Sequence, residues 1–207
     1  MDLTSRKRRP LNRLVPHLRD TRLIIVFSEG AQTEKQYFES DLFQSHRVQV
    51  KVIPTEDGLS APKHVFERMK RYLSNVDLEP NDEYWLVTDV DRWPQEQLAE
   101  VFSHAIRGKN RADLAISNPS FELWLFLHLA DWKAGSATAS QVETALRSSL
   151  GSYNKANLDF NSFRGGVAAA IDRAKSLSSA SGQLWPANPG THAFRVVESA
   201  LRVVANK

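Results

Sequence analysis

Leu23-Ile24-Ile25-Val26-Phe27-Ser28-Glu29-Gly30 decides how this 207-residue chain is read. Its first five residues are apolar and rich in β-branching, which suits a strand buried on both faces, as in parallel sheets. The run ends at Ser28-Glu29-Gly30, so a carboxylate stands where the strand gives way to a turn. In open α/β sheets, ligands bind outside the carboxyl ends of the strands. Glu29 is therefore the first candidate functional residue.

Downstream, Thr33 followed by Gln36 has the capping-box spacing, predicting a helix that continues through Tyr37, Phe38 and Leu42. Val48–Ile53 reads as a second strand and Tyr84–Thr88 as a third, which runs directly into Asp89-Val90-Asp91. Ala112–Ser117 reads as a short fourth. Between them, Val65, Phe66, Met69, Tyr72 and Leu73 recur at helical spacing, as do Leu98, Val101, Phe102, Ala105 and Ile106. Asn118-Pro119 signals a helix start, with Asn as the cap and Pro in the first turn. The helix behind it, Phe121 to Leu129, is apolar nearly all round and is expected to be buried. This alternation predicts an α/β sandwich around a mainly parallel four-stranded sheet. After Trp132 a small, polar stretch reads as a linker, followed by helices near 140–150, 165–180 and 191–205 and no expected strand. The expected organisation is an arm over 1–22, an α/β domain over 23–132, and a C-terminal helical extension over 133–207 packed on it.

Two acidic clusters then fall at strand ends: Glu29 with Glu34, and Asp89 with Asp91. The Asp-X-Asp spacing puts both carboxylates on one side of an extended chain. Carboxylates gathered together repel unless a cation or proton intervenes, and hard oxygen ligands favour Mg²⁺ or Mn²⁺. Glu29, Glu34, Asp89 and Asp91 are thus the expected metal ligands. Each has a structural alternative, for Glu34 a favourable place near the helix dipole. Glu122 lies in the first turn of a strongly apolar helix, where an unpaired carboxylate is costly. It reads either as a hydrogen-bonded first-turn glutamate or as a further ligand or orienter of the site. His128 reads as a core residue. Most tryptophans suit core packing, with Trp93 and Trp185 the two that could touch nucleic acid.

Charge and composition narrow the function. Residues 1–22 carry seven basic and two acidic residues, leaving 20 basic and 22 acidic in the rest, so a basic arm joins a mildly acidic body. Arg6, Lys7, Arg8, Arg9 and Arg13 are candidate contacts to a nucleic-acid backbone; a solubilising tail is the alternative. The chain has no cysteine, which excludes disulfides, thiolate metal sites and a cysteine nucleophile. There is no apolar run long enough to span a bilayer and no secretory signal, so a cytoplasmic protein without membrane contact is expected. The absence of a Gly-X-X-X-X-Gly-Lys loop argues against unaided ATP hydrolysis.

Strand-Ser28-Glu29-Gly30-Ala31-Gln32-Thr33-Glu34 followed by Asp89-Val90-Asp91 resembles a Toprim domain, in which a Glu-Gly motif after one strand pairs with Asp-X-Asp after a later one. More closely, the chain resembles the RloB family of bacterial Toprim-like proteins. The resemblance rests on the arginine-rich start, on Glu29-Gly30-Ala31-Gln32-Thr33-Glu34-Lys35-Gln36-Tyr37-Phe38, and on Asn118-Pro119-Ser120-Phe121-Glu122-Leu123-Trp124-Leu125-Phe126-Leu127-His128. Tyr153-Asn154-Lys155 and Asn188-Pro189 add to it. It implies a Mg²⁺- or Mn²⁺-dependent nuclease acting on DNA or RNA in bacterial anti-phage defence by abortive infection. Glu29 would be a general acid/base or a metal ligand, Asp89 and Asp91 would hold the metal, and Glu34 would complete a second metal position. Lys155 is the candidate to balance charge on the phosphate. The family also implies an ATPase partner, and a homo-oligomer is a further expectation. The competing readings are a non-catalytic partner or sensor subunit of such an ATPase, and another phosphotransfer activity of the primase or topoisomerase kind. A topoisomerase is disfavoured because no separate region supplies a nucleophilic tyrosine.

Overall fold

The computed structural model describes residues 21–55, 58–76, 79–90, 93–107, 111–133, 135–178 and 184–202. Arg6, Lys7, Arg8, Arg9 and Arg13 lie outside these residues, and so does Asp91.

The strands are β1 (Arg22–Ser28), β2 (Val48–Ile53), β3 (Glu83–Asp89), β4 (Asp113–Asn118) and β5 (Gly190–Thr191). They form one sheet in the order β2-β1-β3-β4-β5. The first four are parallel, and β5 runs antiparallel to β4. The apolar run of β1 is buried because it occupies an inner position, flanked by β2 and β3. Ile24 and Val26 face one layer, and Ile25 and Phe27 face the other.

Those layers are helical. α2 (Pro62–Leu73) and α3 (Gln95–Arg107) cover one face through Val65, Met69, Leu98 and Phe102. The opposite face carries α1 (Thr33–Phe38), α4 (Glu122–Leu127), α5 (Ala139–Leu150), α6 (Asn161–Arg164), α7 (Val167–Leu177) and α8 (Phe194–Arg202). The segment expected as a helical extension therefore completes the second layer: Val142, Phe163, Ala170 and Val197 share one apolar cluster with Ile24 and Trp124. Gly166 permits the close approach of α7, since a Cβ there would lie 2.2 Å from the His128 carbonyl oxygen.

Connectivity places a switch point between the neighbouring inner strands β1 and β3. From β1 the chain passes through α1 to β2 on one side, and from β3 it passes through α3 to β4 on the other. α1 and α3 lie on opposite faces, so the chain leaves the carboxyl ends of β1 and β3 in opposite directions. A crevice forms where neighbouring strands diverge in this way, and Glu29 and Asp89 stand on its two sides.

Several local expectations are corrected. Thr33 is the first helical residue rather than the cap; Gln32 precedes it and makes no side-chain capping bond. Helix α1 ends at Phe38, and Leu42 falls in a separate 3-10 turn, Asp41–Phe43. Asn118 closes β4 instead of capping a helix, and α4 begins at Glu122. The peptide bonds Asn118-Pro119 and Asn188-Pro189 are both cis. The two asparagines meet, Asn188 Nδ2 donating to Asn118 Oδ1 at 3.1 Å. The segment expected to lack strands contributes β5, which His192 N extends by donating to Ile116 O at 2.8 Å. Trp185 is buried against Phe102, and so is not a nucleic-acid contact.

Strand β2 lies at a sheet edge, and side chains from the α1–β2 connection engage several of its outward groups. Gln44 acts like a peptide unit: Oε1 accepts from Val50 N at 3.0 Å while Nε2 donates to Val50 O at 3.1 Å. Glu39 Oε1 accepts from Val52 N at 2.8 Å, and Ser45 Oγ from Val48 N at 3.0 Å. With these donors and acceptors engaged, the edge is a poorer template for another strand.

Candidate active site

The turns after β1 to β4 border one cavity of about 560 Å³. Glu29, Glu34, Asp89 and Glu122 line it together with Ser120 and Lys155. Of the residues expected at the site, the fold brings these carboxylates and the lysine to one place.

Each position has a local cause. The β1 ladder continues one residue past the strand, Glu29 N donating to Val87 O at 3.0 Å. The Glu29 side chain then reaches across the crevice: Oε2 accepts from Asp89 N at 3.0 Å and Oε1 from Trp93 Nε1 at 3.2 Å. Trp93 thus orients the first carboxylate. Glu34 turns back over the preceding loop, where its Oε1 accepts from Gly30 N at 3.1 Å. A Cβ at position 30 would sit 2.0 Å from Glu34 Oε2, so the Glu34 carboxylate takes this place only while residue 30 is glycine. The Glu-Gly pair therefore supplies both a ligand-type side chain and the space for a second one.

Glu122 is buried at the start of α4. Two residues of the Tyr153-Asn154-Lys155 stretch converge on it. Lys155 Nζ lies 2.9 Å from Glu122 Oε1, and Tyr153 Oη donates to the same oxygen at 3.4 Å. Lys155 Nζ also lies 3.0 Å from Glu143 Oε2 on α5. Burial by itself would lower the Lys155 pKa, but hydrogen bonding and charge from Glu122 and Glu143 outweigh it and hold the ammonium above its usual value. Glu143 had no sequence signal beyond an ordinary i,i+4 pair with Arg147.

The cavity favours a positive charge. Burial, reinforced by the Glu122 and Glu29 carboxylates, raises Glu34 to about 7. His128 is not among the residues that line the cavity. Its Nδ1 is 2.9 Å from Trp124 O and its Nε2 2.8 Å from Tyr37 Oη, so the neutral ring donates to the carbonyl and accepts from the phenol. Burial lowers it to about 4, which keeps it neutral in the core.

A hard divalent cation suits this donor set, which is oxygen throughout. Ser120 Oγ, buried in a residue of the cavity wall, has no hydrogen-bond partner among the described residues. Yet no three acidic or histidine side chains among the described residues stand in an arrangement that could hold an ion. Glu29 is engaged by backbone and indole N–H groups and Glu122 by Lys155, so ligation by either competes with these contacts.

A mainly parallel α/β sandwich with an acidic cavity at its switch point defines the class of the molecule. The family model for RloB-like proteins matches residues 24–199, and the chain belongs to that family. No curated protein and no solved structure matches it. Among the described residues no helix is long and apolar enough to cross a membrane.

Proposed function

We propose that this RloB-like protein is a Mg²⁺- or Mn²⁺-dependent nuclease that hydrolyses phosphodiester bonds of DNA or RNA, in the cytoplasm, as part of bacterial defence against phage. The observation that carries this reading is the meeting of Glu29, Glu34, Asp89 and Glu122 with Lys155 around one cavity at the strand ends. Such a cavity repels a polyanion unless cations enter first, which makes nucleic-acid binding cation-dependent.

Asp89, Asp91, Glu34 and Glu29 are the residues that would hold the cations. Bound there, cations would polarise the phosphate and stabilise the attacking and leaving oxygens. The Trp93 and Asp89 N–H groups fix the Glu29 carboxylate, which takes the proton of the attacking water. The water oxygen bonds to phosphorus as the bond to the leaving sugar oxygen breaks. Lys155 balances charge on the non-bridging oxygens once Glu122 releases it. Arg6, Lys7, Arg8, Arg9 and Arg13 neutralise flanking phosphates, which makes binding fall with salt.

A second reading, a non-catalytic partner of a defence ATPase, is favoured by the pairing of Lys155 with Glu122, which leaves the lysine already neutralised. Incubating the protein with mixed DNA and RNA, with and without Mn²⁺, separates the two. Mn²⁺-dependent cleavage that Glu29→Ala and Asp89→Ala abolish supports the nuclease. Absence of cleavage by the wild type, alone and with its natural partner, supports the partner subunit. Cleavage that survives both substitutions rules out this site.

A further inference from the structure

Two side chains of α1 grip the loop that carries Lys155. Thr33 Oγ1 donates to Lys155 O at 3.1 Å. Gln36 engages the following residues with both ends of its amide: Nε2 donates to Ala156 O at 3.1 Å, and Oε1 accepts from Leu158 N at 2.7 Å. This loop lies between α5 and α6 and has no helix or strand of its own, so its backbone groups need partners from elsewhere. Asn154 Oδ1 supplies one, accepting from Ala156 N at 2.9 Å.

The same short helix carries Glu34 on the cavity wall. One rigid element thus sets both a carboxylate and, through the loop, the lysine opposite it. The lysine needs such help. Its side chain is about half exposed, and a long flexible stem loses rotamer entropy when fixed.

We propose that Gln36, assisted by Thr33, is a positioning residue that fixes the 153–158 loop so that the Lys155 ammonium stands in the acidic cavity, ready to meet a substrate phosphate. Holding the loop follows from the contacts alone, whereas presentation to phosphate rests on the nuclease reading. Neither Gln36 nor Thr33 touches the reacting atoms; both act through Lys155.

A double-mutant cycle tests the functional part, using a Mn²⁺-supported cleavage assay on an oligonucleotide that the wild type cuts. Gln36→Ala should lower kcat about tenfold to a hundredfold with a smaller change in KM, because a misplaced group costs rate on that scale. In a Lys155→Met background it should cost nothing further, as expected when one residue acts only through another. Additive losses would overturn the proposal. Thr33→Val, nearly isosteric, provides a second variant with the same expected non-additivity should Gln36→Ala fold poorly.

Limited trypsin digestion followed by mass spectrometry reads the clamp without any activity. Cleavage after Lys155 should be slow in the wild type and at least about tenfold faster in Gln36→Ala, since proteases act on locally opened backbone. Equal rates overturn the clamp. A wild type that cuts no nucleic acid, alone or with its partner, overturns the nuclease reading and the presentation of Lys155 to phosphate, while the digestion still decides the clamp.

Discussion

Glu34 shows how much of the site a single residue can encode, and how much it conceals. The sequence offered it as a metal ligand or a helix-dipole partner. In the structure it accepts from Gly30 N, fills the space a Cβ at position 30 would take, and feels two neighbouring carboxylates. Its pKa is raised from 4.5 to about 7, so the folded protein binds this proton more tightly than the unfolded chain. Folding then takes up a proton between those values, and the stability from this group falls as pH rises through the window. His128 acts in the opposite sense: its folded pKa of about 4 removes stability as pH falls below 6.5. The difference between Glu34→Gln and wild type isolates the first effect, because glutamine keeps the acceptor for Gly30 N. Melting in EDTA should show the variant gaining on the wild type from about pH 5 to about pH 8. A constant offset across that range would contradict the account. The convergence of Tyr153 and Lys155 on Glu122 was not legible, because it depends on a loop distant in sequence from α4.

At the scale of elements, inner strands were the most legible part and termini the least. β1 and β3 announce themselves because burial on both faces demands a continuous apolar run. The Thr33/Gln36 pair fits a capping box by spacing, yet both side chains hold the 155–158 loop, a tertiary demand that spacing does not reveal. Asn118-Pro119 reads as a helix start for the same local reason, whereas Asn118 Nδ2 is taken by Pro186 O at 3.0 Å. Two residues suffice for β5, too few to produce a period. The edge of β2 supplies a prediction at this scale. Replacing Glu39 and Gln44 together by alanine strips the partners from Val50 N, Val50 O and Val52 N. The double variant should self-associate on sedimentation as its concentration rises, with loss of about 1–3 kcal/mol of stability per uncovered buried group. A double variant with the wild-type sedimentation profile would show that the seal is dispensable.

For the whole molecule, the alternation of strands and helices specified a mainly parallel sandwich, and the strand order supplies what alternation cannot: a switch point that sets Glu29 beside Asp89. The extension after residue 132 belongs to the same apolar cluster as β1, because its helices cover the face that α1 and α4 leave incomplete. Its loop also brings Lys155 to the cavity, so the candidate site draws on both segments. The proposed function requires this cavity to take up divalent cations through its carboxylates. Calorimetric titration with Mn²⁺ tests this requirement most directly. The wild type is expected to bind with release of protons near neutral pH, because Glu34 must ionise. Glu29→Gln and Asp89→Asn should each weaken binding by about tenfold or more. A wild type that takes up no Mn²⁺, or binding that both substitutions leave unchanged, would contradict the proposed function.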